Sequence, residues 1–323
     1  MTPRIRRSLA WLALAGMAST AVAPWPRRFR GRHAAALRAL APWPPLLAVP
    51  MAIGAAVAGR GRLAVAAGAV GTAGVVMAAP MVVPRRQPPP DPRAAPLRIT
   101  HTNLLYVNRR VGAVPDVLAP LDADVLTFSE LTPTHVRRLH ASSLADAYPH
   151  QVELAASAGS GTGLWSRHPL TVLPSTSTTH HTVVVDVHAP GGPVRVIVVH
   201  TQSPIAHHDL WVADLQRLAE LRTDEPAIMT GDFNASWWHP ELRDLLRAGN
   251  WRDAHQVKGR GLSCSWPTDQ WHPAFRWHPP FVRIDHALVN DGLHVHEVGD
   301  FHVPGSDHLG IVVTVQRAQR ATP

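Results

Sequence analysis

The chain has 323 residues, 46% of them hydrophobic, which suits one large folded domain with an accessory region and is too apolar for a disordered protein. Its single cysteine, Cys264, excludes an intramolecular disulfide and a cysteine-based zinc site. The formal net charge of +8 comes from the first 96 residues, because residues 97–323 hold 18 Lys+Arg against 22 Asp+Glu. This acidic balance differs from the basic surface of a duplex-binding nuclease, so nucleic acid is a possible but disfavoured substrate.

Three stretches free of charged residues precede that acidic domain. They are the 19 residues between Arg7 and Arg27, the 21 between Arg38 and Arg60, and the 22 between Arg62 and Arg85. Because about 20 helical residues match a ~30 Å hydrocarbon core, residues 1–83 are predicted to form a membrane anchor with two to three transmembrane helices. Prolines shorten the second span to residues 46–59, and the first stretch also fits a signal peptide. The membrane lipid bilayer is therefore an expected partner.

Residues 84–96, PRRQPPPDPRAAP, are typical of a proline-rich linker that is extended and semi-rigid. We expect it to hold the following domain off the membrane surface. Five arginines between residues 27 and 38, against Arg60 and Arg62 in the second loop, favour a cytoplasmic location for that domain by the positive-inside rule.

After the linker, short β-branched stretches alternate with turns and amphipathic stretches, which is typical of an α/β sandwich. Strands are predicted at 97–103, 125–129, 182–187, 194–200, 227–230, 283–289 and 311–315. Helices are predicted at 111–118, 134–144, 210–221 and 240–248. Polar residues occur in or directly after five of these strands, where a rigid scaffold presents functional side chains: Asn103, Glu130, His200, Asp232 and Asp285.

The run Gly231-Asp232-Phe233-Asn234 follows the apolar strand 227–230 and places a carboxylate two residues from a carboxamide. Glycine allows a close backbone turn at this point. Taken alone, the run fits an Asx turn as well as it fits a catalytic site.

Six motifs occur in a fixed order: 99–103 (ITHTN), 124–130 (DVLTFSE), 198–201 (VVHT), 231–234 (GDFN), 283–286 (RIDH) and 305–308 (GSDH). Through them the chain resembles the endonuclease/exonuclease/phosphatase superfamily, with its deoxyribonuclease-like fold, over nearly all of residues 97–316. The resemblance implies a four-layer α/β sandwich, in which two packed β-sheets are flanked by helices, preceded here by the N-terminal transmembrane helical region. The catalytic domain would comprise residues 97–323.

The resemblance also implies a role for each matching residue. Glu130 would be the principal ligand of Mg²⁺ or Mn²⁺, with Asn103 supporting it through a neutral oxygen and Asp307 completing the metal or phosphate shell. Asp232 would orient or deprotonate the attacking water, and Asn234 would donate hydrogen bonds to the phosphoryl oxygens.

Two histidines complete the implied site. His200 would donate to the phosphate or the leaving oxygen, and His308 would be held in its tautomer by Asp285. The deoxyribonucleases pair the first histidine with an acidic residue, and residues 161–167 offer no counterpart. The protonation role of His200 is therefore in doubt.

Residues 265–281 interleave Trp266, Trp271 and Trp277 with His272 and His278. Such a loop could line a substrate mouth, sit at a membrane interface, cover the sheet edge or, as the least favoured option, bind zinc.

The combination of anchor, linker and catalytic domain resembles the membrane-bound bacterial branch of the superfamily that includes the teicoplanin-resistance membrane proteins. This implies a multi-pass protein of the cell membrane whose catalytic domain is extracytoplasmic, against the charge count. The expected activity is metal-dependent hydrolysis of a phosphodiester or phosphoanhydride in a phosphate-containing substrate, lipid-linked or membrane-associated. The alternatives are an extracytoplasmic nuclease and a non-catalytic binding module, and no protein partner is predicted.

Overall fold

The computed structural model describes residues 2–176, 178–268 and 278–319. Four helices come first: α1 (Pro3–Val22), α2 (Arg32–Ala39), α3 (Trp43–Val57) and α4 (Gly61–Val82). Small residues let α3 and α4 approach closely, since a Cβ atom added to Gly71 would lie 2.8 Å from Val49. Leu14 of α1 packs in one apolar cluster with residues of α3 and α4, so that these three helices form one bundle.

Within the described residues, α4 is the one helix with both the length and the apolar composition to cross a membrane. Helices α2 and α3 satisfy the same criteria only as a pair, and they are bent by 55° at the break between them. A single such helix is weak support for an anchor, because the core helix of a soluble protein and a signal sequence share its properties. Helix length and composition therefore do not support the predicted multi-pass anchor.

Two six-stranded mixed sheets form the domain that follows, with strands numbered along the chain. The first sheet has the order β11 (Leu293–His302), β12 (Leu309–Arg317), β1 (Leu97–Asn103), β2 (Val125–Ser129), β4 (Thr162–Ser166) and β3 (His150–Leu154). The second has the order β5 (Leu170–Val172), β6 (Val183–Ala189), β7 (Gly192–His200), β8 (Ala227–Asp232), β10 (Asp285–Val289) and β9 (Arg252–Asp253). The pairs β1/β2 and β7/β8 are parallel, and the remaining pairs are antiparallel.

Alternate residues of each strand point to opposite faces, and both faces are apolar in the central strands. Along β7, Val196 and Val198 enter the core between the sheets, whereas Ile197 and Val199 face outward. The outward faces are covered by α5 (Val114–Leu118), α6 (Pro133–His140) and α7 (Leu144–Ala147) on the first sheet and by α8 (His208–Leu218) and α9 (Pro240–Ala248) on the second. The predicted sandwich of two packed sheets flanked by helices is confirmed.

All seven predicted strands are present, with boundaries that move by two residues or fewer. Five strands were not predicted from the sequence: β3, β4, β5, β9 and β11. Their composition explains this: β4 contains Gly163, and β11 alternates histidine with apolar residues and then includes Glu297 and Asp300. Neighbouring strands, rather than local propensity, hold such segments in the sheet.

The proline-rich segment differs from the expected free spacer. Gln87 exchanges hydrogen bonds with the backbone of Val295 in the edge strand β11, and Gln316 of β12 donates to the carbonyl oxygens of Asp91 and Ala94. Proline carbonyls remain acceptors, so such a segment can cover an exposed strand edge. Residues 85–94 thus lie along the sheet and do not hold the domain away from the helices.

Two largely buried carboxylates, Asp253 of β9 and Asp300 of β11, hold the segments next to β10 in place. Asp253 contacts His286, while Asp300 contacts both Arg283 and His255. Burial alone would raise the pKa of each carboxyl, but the imidazole and guanidinium partners outweigh it and hold both pKa values well below the usual range.

We expect this network to make the protein acid-labile. Because the pKa of Asp300 in the folded protein lies below its ordinary value of 3.8, the stabilising contribution of this carboxylate is present above that pH and is lost as the pH falls through and below it. The thermal midpoint in detergent, measured from about pH 6 down to about pH 3, should fall less steeply for Asp300→Asn than for the wild type. Asp291→Asn, at a more exposed carboxylate on Arg252, is the control and should follow the wild type. Equal slopes for all three proteins would contradict the assignment.

Candidate active site

Strand register brings the predicted site residues to one end of both sheets. In the second sheet His200 and Asp285 both pair directly with Asp232, on β7 and β10 respectively. In the first sheet, Asn103 of β1 ends beside Ser129, one residue before Glu130. The Nδ2 atom of Asn103 lies 3.1 Å from Oδ2 of Asp232, which joins the two sheets at this point. Asp307 and His308 arrive from the loop between β11 and β12, so all eight predicted residues meet.

The turn after β8 requires its sequence. Gly231 has a φ of 155°, and a Cβ atom there would lie 1.9 Å from the carbonyl oxygen of Val199, so a larger residue would separate β7 from β8. Asn234 has a φ of 48°, its backbone N–H donates to Asp232 Oδ1 at 2.8 Å, and its side-chain amide donates to Thr201. The Asx turn, which was the alternative to a catalytic site for this run, is therefore present. The same turn also orients Asp232.

Glu130 follows β2 with a φ of 56°, a conformation that non-glycine residues rarely adopt outside functional sites. Its carboxylate accepts hydrogen bonds from Asn103 Nδ2 and from the Tyr106 N–H. Burial raises the pKa of Glu130 above its usual value, against the effect of these donors. The Asn103 oxygen accepts from the Leu105 N–H, so Asn103 presents its NH₂ group to the site and not the oxygen expected of a metal-supporting ligand.

His308 and Asp285 form the buried ion pair expected from the sequence. His308 Nδ1 lies 2.8 Å from Asp285 Oδ2, while its Nε2 atom lies 3.8 Å from Asp232 Oδ2. Burial opposes the charged imidazolium, but attraction to Asp285 and Asp232 outweighs it and raises the pKa of His308 well above its usual value. Burial, followed by repulsion from Asp285, raises the pKa of Asp232. The charged His308 imidazolium is therefore a hydrogen-bond donor that lies next to Asp232, and Asp232 accepts a proton more readily than an ordinary aspartate.

The partner of His200 is a backbone carbonyl and not the acidic residue that pairs with this histidine in the deoxyribonucleases. Its Nδ1 atom lies 2.8 Å from the Gly159 oxygen, which fixes the proton on Nδ1. Burial and the charge of His308 lower the pKa of His200 to about 3, so the ring is neutral near pH 7. Its Nε2 atom, 3.7 Å from Asp232 Oδ2, is then an acceptor, which differs from the expected donor role.

A divalent cation fits the donor set. Among the described residues, the site holds four carboxyl groups and one charged imidazolium, that of His308. The four carboxyl groups are those of Glu130, Asp232, Asp285 and Asp307. Asp307 Oδ2 accepts from Trp266, whereas its buried Oδ1 atom has no hydrogen-bond partner. Asp232, Asp285 and His308 offer ligand atoms within 4.8 Å of one another, but the His308–Asp285 hydrogen bond already uses two of these groups. Glu130 and Asp307 are therefore the better carboxylate ligands for a hard cation.

Several supporting residues have no signal in the sequence. The His180 ring packs against that of His200 with the ring centroids 4.3 Å apart and the ring planes tilted by 53°, and burial lowers the pKa of His180 to about 4. Asp214, buried in α8, accepts from the backbone N–H groups of Thr179 and Gln202 and so fixes two loops of the site. Asn108 donates to Pro304 and thereby holds the loop that carries Asp307. These roles depend on long-range contacts, which no local pattern encodes.

A cleft of about 350 Å³ opens above these residues. Its catalytic side is formed by Glu130, His200, Asp232, Asn234, Asp307 and His308, and Trp266 lies at its rim. Trp271, His272 and Trp277 lie outside the described residues, so the substrate-mouth hypothesis is supported for Trp266 alone. Trp238 contacts Met77 and Met81 of α4, and His239, which also lines the cleft, contacts the Ala35 carbonyl of α2.

The family model described as "Endonuclease/Exonuclease/phosphatase family" matches residues 100–308. Among solved structures, TDP2 from D. rerio complexed with a single-strand DNA product has 19% identity and a TM-score of 0.55, covering 69% of this chain and 99% of that one. An endonuclease/exonuclease/phosphatase from Beutenbergia cavernae has 20% identity and a TM-score of 0.52, covering 69% and 72%. A mutant beta toxin from Staphylococcus aureus with bound magnesium ions has 17% identity and a TM-score of 0.51, covering 70% and 100%. No curated protein matches the chain.

Proposed function

The chain belongs to the endonuclease/exonuclease/phosphatase family, and from this premise we propose that it is a membrane-anchored, divalent-metal-dependent hydrolase of a phosphodiester or phosphoanhydride in a lipid-linked or membrane-associated substrate. Members of the family are typically metal-dependent hydrolases that act on phosphoester bonds. The observation that carries the proposal is the convergence of a carboxylate-rich cleft with the charged His308–Asp285 pair. A binding module would not need a buried, charged His308 and a neutral His200 on either side of the same carboxylate oxygen of Asp232.

Each side chain has a role that its geometry supports. Asp232 accepts the proton of the attacking water, for which its raised pKa suits it. Asn234 donates to a phosphoryl oxygen, and cationic His308 donates to the phosphate or the leaving oxygen. Asp285 acts through His308 and is a positioning residue, while neutral His200 orients the water through Nε2. Glu130 and Asp307 would hold Mg²⁺ or Mn²⁺, which when bound supplies Lewis-acid polarisation of the phosphoryl group.

The membrane part of the proposal rests on the first four helices. Arg7, Arg60 and Arg62 line a common surface at one end of the bundle. At the other end, Arg28, Arg30 and Arg32 are exposed, while Arg27 pairs with Asp244 and the buried Arg38 pairs with Glu241 of the catalytic domain. Basic groups at both ends of an apolar bundle suit contact with lipid headgroups on both sides of a bilayer. The first arginine-rich loop then shares a side with the domain, and we place both outside the cell, as in the resembling membrane-bound branch.

The proposal is tested with the full chain in detergent micelles containing Mg²⁺. We expect turnover of phosphatidylglycerol or of a polyprenyl diphosphate in mixed micelles, and loss of that turnover on chelation by EDTA. Plasmid nicking without lipid hydrolysis would replace the proposal with the nuclease alternative. Absence of metal-dependent turnover of lipids, a generic phosphodiester and DNA would leave the binding module. Protease access to the domain in intact cells tests its side of the membrane.

A further inference from the structure

The catalytic cleft has two unlike walls. One carries the charged residues described above, and the other is apolar, formed by Ala35, Ala36 and Ala39 of α2 together with Pro204, Ile205, Val282 and Ile284. Ile205, which is 52% exposed, and the exposed Ala36 present this wall to solvent, whereas Ala35 and Val282 are buried. A small water-soluble phosphate ester would leave the apolar wall facing water, which is unfavourable in proportion to its area. The wall therefore indicates a substrate with an apolar part next to its phosphate.

Helix α2 is fixed to the catalytic domain and is not a loosely lying tether. The His239 ring accepts from the Ser236 N–H through Nδ1 and donates from Nε2 to the Ala35 carbonyl oxygen at 3.0 Å. Burial lowers the pKa of His239 to about 4, which keeps the ring in this neutral form. Gly31 N–H donates to His208 of α8 at 3.1 Å. The domain thus holds the helix by its backbone, with Ala36 facing the cleft.

The Arg38 side chain also fixes the position of α2. Its side chain is fully buried, and the guanidinium donates to the carbonyl oxygens of Ala23, Pro26 and Phe29 and to Glu241 of α9. Burial of an arginine is tolerated when its donors find such partners. Residues 24–40, here called the interfacial segment, are therefore fixed to the catalytic domain, and Ala35, Ala36 and Ala39 are the residues of the segment that line the cleft.

The outer surface of the interfacial segment suits a lipid headgroup region. Trp25 is 61% exposed and Phe29 is 51% exposed, and Leu37 and Leu40 are also exposed. Between them stand four exposed arginines: Arg27, Arg28, Arg30 and Arg32. Alternating aromatic, aliphatic and basic side chains are typical of a segment that lies in the bilayer interface and attracts anionic phosphates. The segment also continues through the 55° bend into apolar α3.

We propose that the three alanines of the interfacial segment that line the cleft form an acyl-chain subsite: the phosphate of an anionic phospholipid binds the catalytic residues while its hydrocarbon chain lies along Ala35, Ala36 and Ala39. This deepens the proposed function and rests on it. The small alanine side chains leave room for a chain to lie flat against the helix. A lipid would pass from the bilayer surface into the cleft along α2, without complete transfer through water.

The test compares two phospholipids that share a headgroup, dibutanoyl and dipalmitoyl phosphatidylglycerol, in one type of detergent micelle with Mg²⁺. Ala36→Trp places an indole in the subsite and is expected to lower the ratio of kcat/KM for the long chain over the short chain by at least about tenfold. His33→Trp places the same indole on an exposed position of α2 that does not line the cleft, and its ratio should stay within about twofold of the wild type. Equal ratios in all three proteins, or an equal fall in both variants, would overturn the subsite.

A binding measurement separates this inference from the proposed activity. The wild-type chain is irradiated with a phosphatidylglycerol that carries a diazirine at the end of one acyl chain, and the labelled peptides are identified by mass spectrometry. Labelling of residues 35–39 or 204–205, removed by excess unlabelled lipid, supports the subsite even if no substrate is hydrolysed. Labelling confined to α3 and α4 overturns it, whatever the activity towards short-chain esters.

Discussion

Replacement of Asp232 by asparagine is expected to reduce metal-dependent turnover by on the order of 10²-fold or more, while the protein stays folded. The amide keeps the shape of the side chain and can still accept from the Asn234 N–H through Oδ1. What it removes is the Oδ2 carboxylate oxygen that lies between His200 and His308, at 3.7 and 3.8 Å from their Nε2 atoms. The site then lacks the group that accepts the proton of the attacking water.

The same substitution should not destabilise the metal-free protein. Burial and Asp285 raise the pKa of Asp232, which means that its ionised form costs folding free energy near neutral pH. Asp232→Asn removes this cost but also the hydrogen bond that Asp232 Oδ2 accepts from Asn103 Nδ2, so its thermal midpoint in EDTA should stay close to that of the wild type. Asp224→Asn, at an exposed position between α8 and β8, serves as control and should change neither quantity. Full activity of Asp232→Asn would remove Asp232 from the mechanism.

Glu130→Gln is expected to raise the Mg²⁺ concentration for half-maximal rate by about 10–100-fold, and to lower the rate at a fixed, subsaturating concentration accordingly. The glutamine oxygen can still accept from Tyr106, so the loop after β1 should keep its conformation. The negative charge facing Asp307 is lost, however, and a hard cation binds a neutral amide oxygen less strongly than a carboxylate.

The measurement is a titration of Mg²⁺ and, separately, of Mn²⁺ against turnover, with Glu225→Gln as an exposed control. High metal concentrations should restore part of the Glu130→Gln rate, which distinguishes a ligand from a general base. An unchanged midpoint with a reduced rate would instead assign Glu130 to the chemical step and leave the metal site elsewhere.

The parts of the fold that could be predicted are those written in local patterns. β2 was predicted at its observed bounds because 125–129 is a short apolar stretch between turn residues, and α9 was predicted because its apolar residues recur at helical spacing. Gly231 and Asp232 could be related to Glu130 because each motif lies at a strand end and matches a motif of a known family, but the sequence did not indicate that the two strands belong to different sheets. By contrast, β11 has a polar, interrupted sequence and depends on pairing with β12 for its place.

The details of the site depended on atoms that a sequence does not arrange. The Gly159 carbonyl that fixes the tautomer of His200 belongs to a loop with no motif, and any residue could supply it. The orientation of the Asn103 amide is set by the Leu105 N–H, which has no side-chain signature at all. The contact between Arg27 and Asp244 spans 217 positions of the chain, so that a division at residue 96 seemed natural.

The buried Arg38 guanidinium determines what is lost when the N-terminal helices are removed. Its partners are three carbonyls of the N-terminal segment and a glutamate of the catalytic domain, so this ionic contact forms only in a chain that contains both. A fragment that starts at residue 97 would leave Glu241, His239 and Trp238 without their partners and would open one side of the cleft to water. Shortened versions of this protein should therefore begin before Ala23 and keep α2 to α4, because cutting at the proline-rich segment removes one wall of the cleft together with the helices.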